Sequence, residues 1–277
     1  MIVSIVTPVL NGGPYLSQCI ESVMRERKAC QQNGSDIEVE HVIADGGSTD
    51  GSIELARSYH LDVTCENGTD LHDRLNRACL ASRGELISFL GADDVLLAGT
   101  IEAVVDAYRR SGRRWVVGGL RWIDPDGRSL GTLRAPPGWL RPEIHACLGW
   151  NLGSPMATYY SRSIFTELGG YDPRYHISAD YDLFTRALAT APYARTAHVL
   201  AGARRSGTNR SVLNKASRQE ESRLILEALG PTSNAQRLAN RILLKTWVNA
   251  SNPDWLARKL LDRTQLALGL KNVTYFN

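Results

Sequence analysis

Short β-branched runs alternate with helical segments over the first half of the chain, and this alternation restricts the fold more than any other feature of the sequence. Ile2–Val6, Glu38–Ala44 and Glu85–Leu90 are the clearest runs, and each is followed by a turn and a helical pattern. Strands that alternate with helices of this length are joined by right-handed crossovers and lie parallel in one sheet. The sequence therefore predicts an α/β fold with a mostly parallel, Rossmann-like central sheet and flanking helices.

The C-terminal quarter has a different pattern. Strand signals end near Ser211, and three helices are predicted at about 212–229, 232–249 and 253–269, separated by Gly230-Pro231 and Asn252-Pro253. The length of 277 residues suits one domain of about 210 residues with an appendage. We therefore predict an α/β domain at 1–210 and a C-terminal helical extension at 211–277.

The net charge of +3 is unevenly divided between these two parts. The extension has ten basic and five acidic residues, whereas residues 1–210 have 22 basic and 24 acidic ones. The total is too small to indicate nucleic acid binding. A basic helical extension leaves open a peripheral contact with an anionic membrane face, a homodimer contact, or packing on the α/β domain. Packing is favoured for its apolar positions, which are Leu238, Ile242, Leu243, Trp247, Leu256, Leu260 and Leu261.

The cysteines and the N-terminal sequence indicate the cellular compartment of the protein. The five cysteines are scattered and odd in number, with no CxxC pair, so neither a disulfide framework nor a zinc site is indicated. The chain starts with a strand pattern and no signal-peptide pattern, and no apolar stretch has the length of a membrane span. These features predict a cytoplasmic protein.

Three turns follow predicted strands and are the places where chemistry is expected. They are Thr7-Pro8, Asp45-Gly46-Gly47 and Asp93-Asp94. In doubly wound sheets, ligands bind beyond the carboxyl ends of the strands. Adjacent carboxylates repel each other unless a cation compensates them, and Mg²⁺ or Mn²⁺ bound by one or two carboxylates and diphosphate oxygens would do so.

Several weak motifs in a fixed order make the pattern specific. From the N-terminus they are Ile5-Val6-Thr7-Pro8-Val9-Leu10-Asn11, Val42 to Gly51 with Asp45, Phe89-Leu90-Gly91-Ala92-Asp93-Asp94, Gly169-Gly170-Tyr171-Asp172 and Ala179-Asp180-Tyr181-Asp182-Leu183. Over residues 1 to 210 the chain resembles the family 2 glycosyltransferases of GT-A fold. The resemblance implies an enzyme that transfers a sugar from a UDP-, GDP- or TDP-sugar to an acceptor hydroxyl, with inversion at the anomeric carbon.

The resemblance also implies donor-binding residues near the first two turns. The Thr7-Pro8-Val9 segment matches residues that lie against the nucleoside, and Asp45 matches one that binds the base. Asp73 stands where relatives contact the nucleotide or the donor sugar, although a solvated helix position explains it equally well.

The Asp93-Asp94 pair matches the DxD-type metal motif of the family. The match implies that Asp94 is the direct ligand of Mn²⁺ or Mg²⁺ and that Asp93, a second metal contact, lies nearer the ribose or the donor sugar. Gly91 stands where many relatives carry an acid or Asn. Metal ligation in this chain therefore rests on fewer carboxylates.

Asp180 matches the catalytic base of the family. Inversion by direct displacement needs one carboxylate that deprotonates the attacking hydroxyl, and no covalent enzyme intermediate. Ala179 replaces the Glu that usually precedes this base. Asp182 lies two residues further along the same helix, and we predict a structural role for it.

The segment with Arg204, Arg205 and Arg210 resembles the mobile loop that closes over the donor diphosphate in this family. Guanidinium groups suit phosphate recognition, and Gly207 would be the hinge. An exposed basic loop with no ligand is the alternative.

Two other functional classes stay open at this point. A sugar-phosphate nucleotidyltransferase normally begins with a basic, glycine-rich phosphate loop, but the first turn here, Pro8 to Gly13, has no basic residue. A non-catalytic sugar-nucleotide-binding scaffold would not need Asp45, Asp94 and Asp180 together. For an active enzyme, the resemblance implies an acceptor that is a saccharide or a lipid-linked molecule in polysaccharide, lipopolysaccharide or other glycoconjugate biosynthesis. The chain has no Gln-x-x-Arg-Trp motif, so single transfer is favoured over processive synthesis.

Overall fold

The computed structural model of the chain describes residues 1–205 and 214–268. Its first half alternates strands and helices as predicted. The elements are β1 (Ile2–Val9), α1 (Leu16–Gln32), β2 (Glu38–Asp45), α2 (Ser52–Ser58), β3 (Asp62–Cys65), α3 (Leu71–Ala81), β4 (Leu86–Phe89), the short β5 (Val95–Leu96) and α4 (Thr100–Ser111). Strand β1 continues through Pro8 to Val9, beyond the predicted end at Val6, because it pairs with β2 along its whole length.

The next part of the chain contains a hairpin and a strand with little sequence signal. Its elements are β6 (Trp115–Ile123), β7 (Ser129–Leu133), α5 (Pro142–Ala146), β8 (Thr158–Ser161), α6 (Arg162–Glu167), α7 (Ala179–Thr190) and β9 (Ala194–Arg204). Strands β6 and β7 form the hairpin around Asp124-Pro125-Asp126-Gly127. Strand β9 is rich in Ala, Gly and Arg, residues that do not favour strands, and it forms because it lies between β6 and β5.

The nine strands make one sheet in the order β3-β2-β1-β4-β8-β6-β9-β5, with β7 on β6. Strands β1 to β4 are parallel as predicted, and the remaining pairs are antiparallel except β6 with β9. The carboxyl ends of β1, β2 and β4 therefore meet at one edge, which we call the carboxyl edge. Because β8 runs antiparallel to β4, the segment that precedes β8 also lies at this edge.

Side chains alternate between two apolar layers, one on each face of the sheet. Val3 and Ile5 belong to the layer against α1 and α4, whereas Val6 belongs to the layer against α3 and α7. Trp115 lies at the centre of the second layer, with its ring centroid 5.2 Å from that of Phe184. Its indole N–H donates to the carbonyl oxygen of Ala191 at 2.9 Å. The architecture is a three-layer α/β/α arrangement.

The three helices of the extension are confirmed: α8 (Lys215–Ala228), α9 (Asn234–Ser251) and α10 (Pro253–Ala267). Two hydrogen bonds attach the α9–α10 corner to the segment around β7. The Asn252 amide oxygen accepts the N–H of Arg134 at 2.7 Å, and the Asp254 carboxylate accepts the N–H of Thr132 at 3.0 Å. None of the helices within the described residues combines the length and the apolar composition that a membrane span requires.

The packing expected for the apolar positions of the extension is wrong for five of seven. Leu244, Val248 and Trp255 are the residues of α9 and α10 that pack into the core. Helical geometry turns the opposite faces outward, while Trp247 and Leu256 are half-buried between them. The exposed side chains are those of Leu238, Ile242, Leu243, Leu260 and Leu261.

Candidate active site

The carboxyl edge begins at the end of β1, where the structure places Thr7, Pro8 and Val9. The Thr7 hydroxyl is buried and lies 2.9 Å from Nε2 of His41, and the Val9 side chain is also buried. Pro8 is half-buried and is the one of the three whose side chain is partly accessible. At the end of β1, the Pro8 side chain is therefore more accessible to a ligand than the side chains of Thr7 and Val9.

Asp45 ends β2 directly beside Val9 in the sheet register. Its buried carboxylate accepts the N–H of Gly47 at 2.7 Å, the N–H of Ser48 at 2.8 Å and the Ser48 hydroxyl at 2.5 Å. Gly47 has a φ of +99°, a conformation that glycine adopts without strain. In this structure the Asp45 carboxylate therefore stabilises the turn that follows β2.

Helix α3 brings two side chains to the same edge. Asp73 is half-buried in its first turn. Arg74 is buried, donates from Nε to the carbonyl oxygen of Ala44 at 3.2 Å, and has its pKa lowered by burial. Its guanidinium lies so close to Gly46 that a β-carbon there would be 2.9 Å from Cζ. The sequence offered no motif for Arg74, and only its position four residues after the Asp70 helix cap could have indicated it.

Asp93 and Asp94 follow β4 and share one small space above Gly91. A β-carbon at Gly91 would lie 2.5 Å from Oδ2 of Asp94 and 3.1 Å from Oδ1 of Asp93. Burial, together with the charge of Asp93, raises the pKa of Asp94 to about 8. Burial also raises the pKa of Asp93, which the Arg204 guanidinium partly offsets. Gly91 is therefore required for the two carboxylates to converge.

Arg204 fixes this pair from the end of β9. Its backbone N–H donates to Oδ1 of Asp94 at 2.8 Å, and its Nε donates to the carbonyl oxygen of Asp93 at 2.8 Å. The buried guanidinium also donates to Gln18 and lies 4.3 Å above the ring of Tyr15. Arg204 therefore lies in a strand, not in the predicted mobile loop, and its contacts suit a support for the acidic pair.

Arg205 is the first residue after β9, and Arg218 of α8 lies close to it. The Arg205 guanidinium is 3.9 Å above the ring of Trp122. Burial and the charge of Arg218 lower its pKa to about 10, while Asp94 opposes this shift. The Nε atoms of both arginines are buried without a hydrogen-bond partner among the described residues. Arg210 lies outside the described residues.

Asp180 lies in the first turn of α7, and its partner is Asn151. The Asn151 side-chain nitrogen donates to Oδ2 of Asp180 at 3.0 Å and to its backbone oxygen at 3.1 Å. Burial raises the pKa of Asp180, and the hydrogen bond from Asn151 opposes the rise. Asn151 lies in the segment that leads into β8, so it places Asp180 at the carboxyl edge. Sequence reasoning missed Asn151 because it belongs to no motif.

Two buried residues hold the segments around this carboxylate. His145 accepts the N–H of Leu152 at its Nε2, 3.3 Å away, and its Nδ1 lies 3.1 Å from the Thr185 hydroxyl. Burial lowers the pKa of His145 to about 3, so the ring is neutral. Glu221 of α8 accepts the N–H groups of His176, Ile177 and Ser178 at 2.7 to 3.0 Å.

Asp182 has the structural role that was predicted for it. Its carboxylate accepts Nε of Arg186 at 2.7 Å, and Arg186 donates further to the carbonyl oxygens of Leu168 and Gly170. Asp182 therefore ties α7 to the Gly169-Gly170 turn.

The donor set at the carboxyl edge fits a divalent cation that shares its coordination with a substrate. No group of three or more His, Cys, Asp or Glu side chains in the described ranges is arranged to hold a metal ion. Asp93 and Asp94 provide two carboxylates around one space. Mg²⁺ and similar ions typically bind one or two carboxylates, with phosphate oxygens and waters completing the shell.

Comparison with known proteins decides the family. The model of glycosyl transferase family 2 matches residues 4–169. The chain belongs to glycosyl transferase family 2. Among relatives, this family 2 chain is 27% identical over 206 residues to a PGL/p-HBAD biosynthesis glycosyltransferase of Mycobacterium tuberculosis, with 71% of this chain and 74% of the relative covered. It is 28% identical over 209 residues to an uncharacterized glycosyltransferase of Rickettsia felis, covering 69% of this chain and 32% of the relative.

Solved structures show that this family 2 member has the GT-A fold. S. aureus TarS in complex with UDP-GlcNAc superposes with a TM-score of 0.63 at 15% identity, over 94% of this chain and 80% of that one. The mannosyltransferase PcManGT from Pyrobaculum calidifontis, in complex with GDP-Man and Mn²⁺, gives 0.55 at 15% identity, over 96% and 75%. The chain spans only 43% of another S. aureus TarS chain.

Proposed function

We propose that this protein transfers one sugar from a nucleotide-diphosphate sugar to an acceptor hydroxyl, with inversion at the anomeric carbon. The observation that carries the proposal is the carboxylate pair of Asp93 and Asp94 with Arg205 close to Asp94 and Arg218 close to Arg205. The Nε atoms of both arginines lack hydrogen-bond partners among the described residues. Paired carboxylates next to cationic donors suit a metal-bound diphosphate. Pro8, Asp45 and Asp73 surround the proposed nucleoside side of the same edge.

Asp180 is the proposed base. Its ionised carboxylate takes the proton of the acceptor hydroxyl while the hydroxyl oxygen attacks the anomeric carbon. The bond from that carbon to the diphosphate oxygen breaks, and the nucleoside diphosphate leaves with the electron pair. Attack from the face opposite the leaving group inverts the configuration. A raised pKa of Asp180 makes its carboxylate a stronger base, as general-base catalysis requires.

A bound Mn²⁺ or Mg²⁺ would supply charge neutralisation at the leaving diphosphate. Asp94 would hold it through Oδ2, because Oδ1 accepts the N–H of Arg204, and Asp93 would assist. The complex of PcManGT, a protein of the same fold, with GDP-Man and Mn²⁺ supports this assignment.

A donor screen tests the proposal. The melting temperature is measured with UDP-, GDP- and TDP-sugars, each with and without Mn²⁺. We expect one nucleotide class to stabilise the protein by several degrees, and more strongly when the metal is present. Stabilisation by none of them would overturn the proposal. Binding without turnover of any acceptor would favour a sugar-nucleotide-binding scaffold, and pyrophosphate release from a nucleoside triphosphate would favour a nucleotidyltransferase.

We also propose the class of acceptor and the cellular compartment. The acceptor is a saccharide or a lipid-linked molecule of polysaccharide, lipopolysaccharide or other glycoconjugate biosynthesis, and the location is cytoplasmic, in keeping with five cysteines that form no disulfide. Residues 1–210 form the proposed GT-A domain and 211–277 the helical extension. Helix α8 of the extension adds Arg218 and Glu221 to the site.

Arg218→Gln tests whether the extension takes part in donor binding. We expect KM for the donor to rise about tenfold with little change in kcat, because a charge-assisted contact to the diphosphate is lost. Steady-state kinetics with varied donor measures this. The matched control is Arg223→Gln on the same helix, where the guanidinium pairs with Glu220 and Glu227. Equal KM values for the two variants would exclude Arg218 from the donor site.

Asn151→Leu tests the partner of the proposed base. Activity requires ionised Asp180, so it falls as pH drops below the raised pKa of this carboxyl. Without the Asn151 hydrogen bond that pKa rises further, and we expect the acid limb of the kcat/KM profile to move up by about one pH unit. Asn252→Leu, a buried asparagine bound to Arg134 and Val248, is the control for a stability effect alone. An unmoved acid limb would show that Asn151 does not act on the base.

A further inference from the structure

The outer faces of α9 and α10 carry five large apolar side chains that are exposed among the described residues. Leu238, Ile242 and Leu243 of α9 are 59%, 57% and 48% exposed, and Leu260 and Leu261 of α10 are 56% and 48% exposed. Single exposed leucines are ordinary on protein surfaces. Here five lie on two consecutive helices, and Ala239, Thr246, Ala257 and Thr264 are exposed among them. We call this surface the leucine face.

Helical geometry separates the leucine face from the core. In α9, Leu238, Ile242 and Leu243 are exposed, whereas Leu244 and Val248 are buried, so the helix has an outward and an inward side. In α10, Leu260 and Leu261 lie opposite to Trp255, which packs on β7. The helices are therefore fixed to the domain by one side and present the other side outward.

The charged residues that border the leucine face are mostly basic. Helix α9 contains only basic charged residues, and Lys245 lies at its border. In α10, Arg258 and Arg263 stand on either side of the leucines. Of the two carboxylates of α10, Asp262 is buried, and Asp254 is exposed but accepts the N–H of Thr132.

Exposed leucines with basic neighbours favour an anionic bilayer over a second copy of this chain as the partner of the leucine face. In a two-fold contact between copies of this chain, the same patch meets itself, which would bring the basic borders together with Asp254 as the one exposed carboxylate of α9 and α10. An amphipathic helix with an apolar face and basic borders suits a bilayer surface with anionic headgroups, where the leucines enter the interface and the cations stay at headgroup level.

We propose that α9 and α10 dock the protein on the surface of an anionic lipid bilayer through the leucine face. Lys245, Arg258 and Arg263 contact the headgroups, and Leu238, Ile242, Leu260 and Leu261 enter the boundary of the acyl chains. The site at the carboxyl edge is not part of this contact.

Vesicle sedimentation of the full chain tests the proposal without any need for catalysis. The probes are vesicles of phosphatidylcholine alone and vesicles of equal parts phosphatidylcholine and phosphatidylglycerol. We expect binding to the anionic vesicles at low salt, weaker binding at high salt, and little binding to phosphatidylcholine alone. Absence of binding to anionic vesicles at low salt would overturn the proposal.

Two sets of variants separate the apolar and the electrostatic parts. Leu238→Gln with Ile242→Gln is expected to lower vesicle affinity by at least tenfold, whereas the control pair Leu80→Gln with Leu224→Gln, exposed leucines elsewhere, leaves it unchanged. Replacing Lys245, Arg258 and Arg263 by Gln is expected to lower affinity for anionic vesicles about a hundredfold, from about fivefold per charge. Equal loss in the control pair would overturn the proposal.

The oligomeric state gives a further outcome. If sedimentation velocity shows a dimer that the Leu238→Gln, Ile242→Gln variant abolishes, the leucine face is covered by a second copy and the bilayer proposal is wrong. Should that variant fail to fold, the lipid and salt dependence of the unmodified protein still decides the matter.

Discussion

Replacement of Asp180 by Asn is expected to lower kcat by about 10³-fold while the donor dissociation constant stays within about twofold, because general-base catalysis typically contributes 10² to 10⁴. The carboxamide has the same shape and its oxygen can still accept the hydrogen bond from Asn151. It cannot accept the proton of the acceptor hydroxyl. Initial rates of transfer and calorimetric titration with the donor found in the screen measure the two quantities.

Asp182→Asn is the matched control on the same helix. It weakens the buried contact with Arg186, so we expect a loss of stability of about 2 kcal/mol and a lower melting temperature. The transfer rate per folded molecule should stay within about threefold. If Asp180→Asn retained full activity, or if Asp182→Asn lost as much kcat, the base would have to be another residue.

Replacement of Asp94 by Asn is expected to lower kcat/KM by about 10² to 10³ and to abolish the stabilisation by Mn²⁺ in the presence of donor. The variant keeps an oxygen for the N–H of Arg204 but removes the charge that the metal and the diphosphate site require. Asp126→Asn, in the exposed turn between β6 and β7, is the control and should be active.

The same Asp94 variant should be more stable than the unmodified protein when no ligand is bound. Because the pKa of Asp94 is raised to about 8, its ionisation opposes folding, and this penalty grows as pH rises from about 4 through 8. The amide removes the repulsion with Asp93. We therefore expect a higher melting temperature for Asp94→Asn at pH 8.5 and a much smaller difference at pH 5. A variant that loses activity and stability together would show that Asp94 holds the fold, not the donor.

Elements could be predicted from the sequence where their signal comes from residues that are close in the chain, and were missed where it comes from distant ones. The strands that begin the sheet were predicted because each is a β-branched run followed by turn residues, and the three C-terminal helices because Gly230-Pro231 and Asn252-Pro253 separate them. Strand β9 was missed because its Ala, Gly and Arg residues carry no strand signal. It exists through its pairing with β6 and β5, which are distant in sequence.

The candidate site shows the same division. Asp93, Asp94 and Asp180 stand in motifs and could be named from the sequence. Asn151 could not, because it acts on a residue that is 29 positions away. Arg218 could not, because it belongs to no motif and only the fold brings it close to Arg205. Arg204 was expected to be mobile because its segment resembles the mobile loop of the family, but the backbone pairing of β9 and the oxygens of Asp93 and Asp94 hold it.

Glu221 of α8 shows how the α/β domain depends on the C-terminal extension. The three peptide N–H groups that its carboxylate accepts lie two to four residues before Asp180, and they belong to a segment with no strand or helix to satisfy them. A chimaera that joins the first 210 residues to the C-terminal helices of another relative would orphan these donors unless the new helix supplied an acid at the same place. The α/β domain and the C-terminal extension are therefore compatible only if the extension has an acid at the position of Glu221. An exchange of extensions between family members has to preserve that acid.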